Sequence, residues 1–477
     1  MKINIFYKIY YFEMKINIFY KIYYFIIKIV IFSLLMFLIL QSKIYIENEI
    51  LKINDNYLYI QNYSNITFQN KIKSKIKIGI FTIGLKNGGR ARITSQLLKY
   101  LNKIEIFDIY LFTIKIREEN EYINVDLSKR ILIKNYTLYR LIKEIEKKKI
   151  DIFLYQLSNV TEINFFNNLK NLKIIFYLHQ SLLYWVYFNY SIFKSLYKTY
   201  QNSKYVICLV PFENDYLFKK WGISSILMNN FITFEYDFII SSKLSSKIII
   251  MIGRGADKYK RFSLGIQSME YILEDLPKSE MKIISDIEYI FVIKDLIDNL
   301  NLQYNIKFIG FTSTPEFHLK NASLHIFPTL SESFGLVLSE TKIYGIPNIL
   351  LGLDYVTIAK KGTIIIYDDT PESIAKESLK ILQNDNYREN LGNDARKSMK
   401  KLDNKLLIKK WINLILSIYN SDIYYDKLRF ENKKYIFEKN LIYILKKHIE
   451  LLKMRNIFFS NITINNICNF SFLDLLN

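Results

Sequence analysis

Cysteine is almost missing from this 477-residue chain, which has two. Cys208 lies inside an apolar run and Cys468 near the end, with no CxxC around either, so a disulfide framework and a structural zinc site are both excluded. Histidine is scarce as well, with four scattered residues. Acidic residues fall short of basic ones, 45 against 66, which leaves a formal charge of +21. The lysines are spread along the whole chain rather than clustered. The charge therefore reads as solvated Lys faces and attraction to anionic lipid headgroups, not as the footprint of a nucleic-acid partner. No full GxGxxG and no Walker loop occurs. No Asp-x-Asp stands at a strand end either, so nothing suggests a diphosphate bridged by a metal ion.

What is present is ample core material. Half the residues are hydrophobic and 16% are aromatic, which excludes a largely disordered chain, and the length favours two or three folding units. Residues 1–12 recur identically at 14–25, a tandem duplication with a second potential start at Met14. From Ile22 to Leu40 only Lys28 interrupts an apolar run. Such a run can cross a bilayer of roughly 30 Å at about 1.5 Å per residue, with Lys28 snorkelling to the near interface. A cleaved signal peptide competes with this reading, but the junction LQSKIY lacks small residues at its recognition positions, which favours an uncleaved anchor. Lys2, Lys8, Lys15, Lys21 and Lys28 precede or enter the segment against Glu13 alone, which predicts a cytosolic tail at 1–21 and the rest of the chain across the membrane. Asn-x-Ser/Thr sequons such as Asn62, Asn65 and Asn135 suit a luminal domain, in the Golgi or endoplasmic reticulum.

Residues 41–74 are polar and Asn-rich and read as a stem. Strand and helix patterns then alternate. KIKIGIFTI (75–83), DIFLY (151–155), LKIIFYLH (172–179) and KYVICLV (204–210) are short β-branched or aromatic runs. KIIIMIG (247–253), MKIIS (281–285), IKFIG (306–310), LHIFP (324–328) and PNILL (347–351) repeat the theme, with helical stretches such as TLYRLIKEIEKKK between runs. The pattern predicts α/β architecture with two doubly wound Rossmann-like domains, 75–235 and 240–420, and an extension at 421–477. Binding clefts in such sheets lie at the carboxyl ends of the strands, so chemistry is sought in those loops.

Three loops qualify. Gly84-Leu85-Lys86-Asn87-Gly88-Gly89 follows the first strand and precedes a helix, where adjacent glycines let backbone N–H groups approach an anion. A tight turn would use the same residues. Gly253-Arg254, followed by Lys258, Lys260 and Arg261, ends the first strand of the second half; a guanidinium and an ammonium there suit a diphosphate. A solvated basic loop would look the same in isolation. The third loop is distinctive. In PTLSESFGLVLSE (328–340) Glu332 and Glu340 stand eight apart, one at a strand end and one about a turn into a helix starting near Gly335. That spacing directs both carboxylates into one cleft, where they can accept hydrogen bonds from polyol hydroxyls.

With these motifs the chain resembles the retaining family-4 glycosyltransferases of the GT-B fold over about residues 75–420, most strongly from Lys247 to Leu382. The resemblance implies that Glu332 contacts the donor sugar and Glu340 the ribose, with backbone around Phe334 and Gly335 also meeting the sugar. It assigns the diphosphate to Arg254 and Lys260, and places Gly88 and Gly89 near the donor phosphates and the acceptor. It matches His179 to a catalytic-cleft histidine, while a satisfied core histidine remains the alternative there. His325, between Leu324 and Ile326 on a strand, reads as structural. Two departures stand out: Arg90-Ala91-Arg92 replaces small and acidic residues after the Gly pair, and LLGLDYV replaces a Gly-Gly-x-x-Glu stretch after Pro347.

The resemblance further implies transfer from a nucleotide-diphosphate sugar to a glycan, lipid or protein hydroxyl, with retention and with neither cofactor nor metal. An inactive membrane-anchored scaffold is the rival reading, although Arg254, Lys260, Glu332 and Glu340 are all in place. A nucleotide-binding Rossmann oxidoreductase is the other, and it lacks its glycine fingerprint.

Overall fold

A computed structural model of the protein describes residues 74–420 except 87, 117–120, 123–125, 127, 157–171, 178, 183, 186–195, 198–199, 201–202, 204, 235, 237–238, 255–256, 287–289, 313 and 354. The expected tail, the anchor at 22–40, the stem through residue 73 and the extension at 421–477 lie outside the described residues. Among the described residues, no helix is long and apolar enough to cross a membrane. Both sheets belong to one compact unit that begins at Ser74.

Among the described residues, the first sheet has seven parallel strands: β1 (Ile76–Thr82), β2 (Phe107–Thr113), β3 (Arg130–Leu132), β4 (Ile152–Tyr155), β5 (Lys173–Tyr177), β6 (Tyr205–Cys208) and β7 (Ile226–Leu227). Their order is β3-β2-β1-β4-β5-β6-β7. The second sheet has six: β8 (Ile248–Ile252), β9 (Glu280–Ile284), β10 (Ile306–Phe308), β11 (Leu324–Phe327), β12 (Asn348–Leu351) and β13 (Thr363–Ile366), ordered β10-β9-β8-β11-β12-β13. It too is parallel throughout. Each sheet reverses direction once, between β1 and β4 and between β8 and β11. Loops leaving those four strands flank the crevice where doubly wound sheets bind ligands. All three loops singled out in the sequence leave these strands: Gly84–Gly89 leaves β1, Gly253-Arg254 leaves β8 and the Glu332 loop leaves β11.

The helices that follow these strands have readable causes. Helix α1 (Gly89–Leu101) turns Ile93, Leu97, Leu98 and Leu101 inward. Helix α2 (Leu138–Lys148) buries Leu141 and Ile145 and is capped by Thr137, whose hydroxyl accepts from the Arg140 N–H at 3.3 Å. Pro211 opens α3 (Pro211–Trp221) at a position where no backbone donor is needed. The second half adds α4 (Asp257–Lys260), α5 (Phe262–Asp275), α6 (Ile290–Asn299), α7 (Glu316–Leu319), α8 (Leu336–Ile343), α9 (Pro371–Gln383), α10 (Asp385–Met399) and α11 (Asn404–Asn420). Helix α8 begins where the sequence places it, just after Gly335, whose φ of 78° lies in the left-handed region open to glycine.

The cores differ in material. The first is aromatic: Phe81 lies 6.2 Å from Phe153 and 5.6 Å from Tyr155, Phe112 meets Phe153 edge-on at 5.5 Å, and Tyr155 stacks on Phe176 at 5.7 Å. Each such pair adds about 1 kcal/mol beyond area burial. Gly79 is obliged by this packing, because a Cβ there would sit 2.7 Å from the Phe153 ring and 2.9 Å from Phe112. The second core is aliphatic, built from Ile249, Met251, Ile283, Leu324, Ile326, Ile349 and Leu351, where each fully buried side chain contributes about 1.5–3 kcal/mol.

The last helix leaves the second half and packs on the first. Trp411 lies 5.6 Å from the Tyr177 ring, Lys173 on β5 donates to the carbonyl of Tyr419 at 3.0 Å, and Asn404 exchanges two hydrogen bonds with the Ile232 backbone at 2.9 and 3.0 Å. Helix α11, which follows the second half along the chain, therefore touches the first half in space.

Candidate functional site

The loop after β11 is held from both sides. Tyr259, in α4, offers its carbonyl to the Leu330 N–H at 2.8 Å and to the Thr329 hydroxyl at 3.1 Å. This brings the neighbouring Lys260 to Glu332, and the two side chains form a hydrogen-bonded ion pair. The Glu332 N–H donates to the Tyr355 hydroxyl at 3.0 Å, and burial pushes that phenol far above its ordinary range. Glu332 is thereby fixed in backbone and side chain. Phe334 is buried beneath the loop.

Glu340, four residues into α8, is 1% exposed. Its Oε1 accepts from Arg92 of α1 and from the Thr233 hydroxyl at 2.7 Å. Arg92 also lies 5.6 Å from the Tyr122 ring. The Glu340 charge raises the Arg92 pKa against the opposing effect of burial. A helix of the first half and a helix of the second are therefore joined by a part-buried ion pair whose carboxylate is fully buried.

Three more close approaches join the halves at the same place. The Ser333 hydroxyl donates to the His179 carbonyl at 2.7 Å. Gly88, with φ 89°, lies so close to Arg254 that a Cβ would fall 1.8 Å from Nη2, and a Cβ on Gly89 would meet Leu336 at 3.2 Å. Glycine at 88 is favoured by its backbone angle, and a side chain there would displace the Arg254 guanidinium. The structure thus gathers Gly88, Gly89, Arg254, Lys260, His179, Glu332, Phe334, Gly335 and Glu340 around the switch points of the two sheets.

Arg90 and Gln156 complete the floor. The Arg90 Nη1 donates to the Gln156 carbonyl at 3.3 Å, while Gln156 Oε1 accepts from Thr94 at 2.8 Å and meets His179 Nε2 at 3.1 Å. Burial, then the Arg90 charge, pushes the His179 imidazole down to about 3. It is neutral at pH 7. Burial, then Arg254, lowers Arg90 as well. Two further buried groups sit near the site. Glu213 in α3 accepts from the Leu182 N–H at 2.6 Å, and burial pushes its carboxyl up to about 7. Lys342 in α8 donates to the Ile358 carbonyl, and burial pulls its ammonium down to about 7.

His325 sits fully buried in a polar knot with Asn348, 2.7 Å from its Nδ1, and Thr341, a structural position in keeping with its apolar neighbours. Among the described residues, no group of three or more His, Cys, Asp or Glu could hold a metal ion. Sequence reasoning did not find Gln156, Thr233, Glu213 or Lys342; Arg90, Arg92 and Tyr355 had shown themselves only within the two departures.

Residues 233–398 match the family model Glycosyl transferases group 1. They span the second sheet and both glutamates. An uncharacterized glycosyltransferase of Methanocaldococcus jannaschii is 26% identical over 164 residues, 32% of this chain and 40% of that relative, so the match spans well under half the relative's length. Among solved structures, sucrose-phosphate synthase from Thermosynechococcus elongatus superposes with a TM-score of 0.61 at 16% identity, covering 72% of this chain and 99% of that one. Anabaena HepE in complex with UDP and glucose gives 0.60 at 12% identity, covering 72% and 100%. The fold is GT-B-like: two parallel α/β sheets, each reversing once, facing a common site.

Proposed function

We propose that the chain transfers a sugar from a nucleotide-diphosphate donor to a hydroxyl of a glycan, lipid or protein, with retention of anomeric configuration. The observation that carries this reading is that Glu332, in the loop after β11, and Glu340, in the helix that follows it, are each matched by a cation, Lys260 and Arg92. Carboxylates held in this way accept hydrogen bonds from sugar and ribose hydroxyls, while cations meet the diphosphate. The group 1 match over this segment and a fold neighbour holding UDP and glucose support it.

In this reading the acceptor hydroxyl attacks the anomeric carbon from the face that the diphosphate leaves. A new C–O bond forms as the old one breaks, and the departing phosphate takes the hydroxyl proton. Glu332 faces the sugar ring as charge develops, Glu340 grips the ribose, and Arg254 with Lys260 neutralises the leaving group, so catalysis rests on orientation and charge stabilisation. A neutral imidazole of pKa about 3 is a poor proton acceptor at pH 7. We assign His179 to positioning, through its carbonyl on Ser333 and its ring on Gln156.

The test is a panel of nucleotide sugars scored by diphosphate release, with the product anomer read by NMR. Release from at least one donor with retention, undiminished by EDTA, supports the reading. An absence of release from every donor favours the inactive scaffold, and inversion overturns the stereochemistry. The Lys excess before Ile22 and the sequons after Leu40 motivate a single-pass anchor with luminal catalytic halves; digestion of those halves in sealed microsomes without detergent would sink that placement.

A further inference from the structure

Charge accounting across the site leaves a surplus. Lys260 is matched by Glu332 and Arg92 by Glu340. Among the described residues, Arg254 and Arg90 have no carboxylate partner, yet they lie near enough for the charge of one to disfavour the charge of the other. Gln156, whose carbonyl accepts from Arg90, is 2% exposed. Its Nε2 is buried without a hydrogen-bond partner. The buried Gln156 amide donor is unfavourable as it stands, because a desolvated donor without an acceptor costs free energy, and the Arg254 charge disfavours that of Arg90. A group offering several anionic oxygens would satisfy them together.

We propose that Arg90, reaching from the first half, is an additional cation on the donor diphosphate and acts there beside Arg254 and Lys260. The inference rests on the nucleotide-sugar reading above. It differs from the resemblance, which draws both diphosphate cations from the second half, and it makes donor binding depend on the two halves being together. Arg90 belongs to the Arg90-Ala91-Arg92 stretch that departs from the small and acidic residues of the resemblance, so this role belongs to this chain's own sequence.

The experiment is calorimetric titration of the full chain with UDP, GDP, ADP and inorganic pyrophosphate, and with the matching nucleoside as a control. It compares wild type with Arg90→Gln, Arg90→Lys and Arg254→Gln, and each variant is also melted with and without ligand. Loss of a charge-assisted hydrogen bond should weaken diphosphate and pyrophosphate binding about ten- to hundredfold in Arg90→Gln. Nucleoside binding should stay unchanged, and Arg90→Lys should recover part of the loss. Without ligand, Arg90→Gln should melt at or above the wild-type temperature, because one of two facing charges is gone. A merely structural role would lower that melt instead. Diphosphate affinity within twofold of wild type in Arg90→Gln, alongside a loss in Arg254→Gln, would overturn the inference and leave the transferase reading standing. No diphosphate binding by the wild-type chain would remove both.

Discussion

The second half supplies both glutamates, and the two are secured in different ways. Glu332 takes its cation, Lys260, from its own half, so it is held whether or not the halves meet. Glu340 takes its cation, Arg92, from α1 of the first half, so it is held only where they do. The first half thus supplies charge to a motif it does not contain, and the site is complete only as an interface.

Removing the cation separates the two cases most sharply. Arg92→Ala leaves the Glu340 carboxylate buried and unpaired, which should cost about 3 kcal/mol by denaturant titration. Lys260→Ala, beside a more exposed partner, should cost about 1.5 kcal/mol. A larger loss from Lys260 would reverse the comparison.

Next in size are two buried groups, one per half, that titrate near neutrality with opposite signs. The folded-state pKa of Lys342, about 7, lies below the ordinary lysine value of 10.5. Between those values the unfolded chain binds the extra proton, so stability rises with pH. Lys342→Met should raise stability at pH 7 by about 2 kcal/mol, with the advantage shrinking toward pH 10.

Glu213 runs the other way. Its folded value, about 7, lies above the ordinary 4.5, so its contribution is present at pH 4.5 and lost as pH rises through 7. Glu213→Gln should remove that slope and raise stability at pH 8 by about 1 kcal/mol. Parallel denaturations at pH 5, 7 and 9 check both; slopes of the same sign would refute the assignment.

The core strands and the Glu332–Glu340 spacing were legible because both are local. β-branched runs declare buried parallel strands, and eight residues from a strand end into a helix set a fixed geometry. Strands β2, β3, β7 and β13 were not named in advance. Of these, β3 and β7 are only three and two residues long, and Asp108 and Tyr110 interrupt the burial of β2. No periodicity pairs Arg92 with Glu340, 248 positions on, or sends the hydroxyl of Tyr355 to the backbone of Glu332. Gln156 was invisible for a different reason: its role comes from following β4 at the point where the strand order reverses, which strand order decides. The return of α11 to the first half has the same origin, in tertiary packing rather than pattern.

The central claim is that the two glutamates meet one bound donor in different ways, and steady-state kinetics over the donor concentration tests it directly. Glu332→Gln should chiefly lower kcat, because charge develops at the sugar during transfer. Glu340→Gln should chiefly raise KM for the donor, because the ribose changes little during the reaction. Each effect should be about ten- to hundredfold, read at a temperature where both variants are shown to be folded, because each substitution also removes the partner of a cation. If both variants keep wild-type kcat and KM, the carboxylates touch no donor and the account is contradicted.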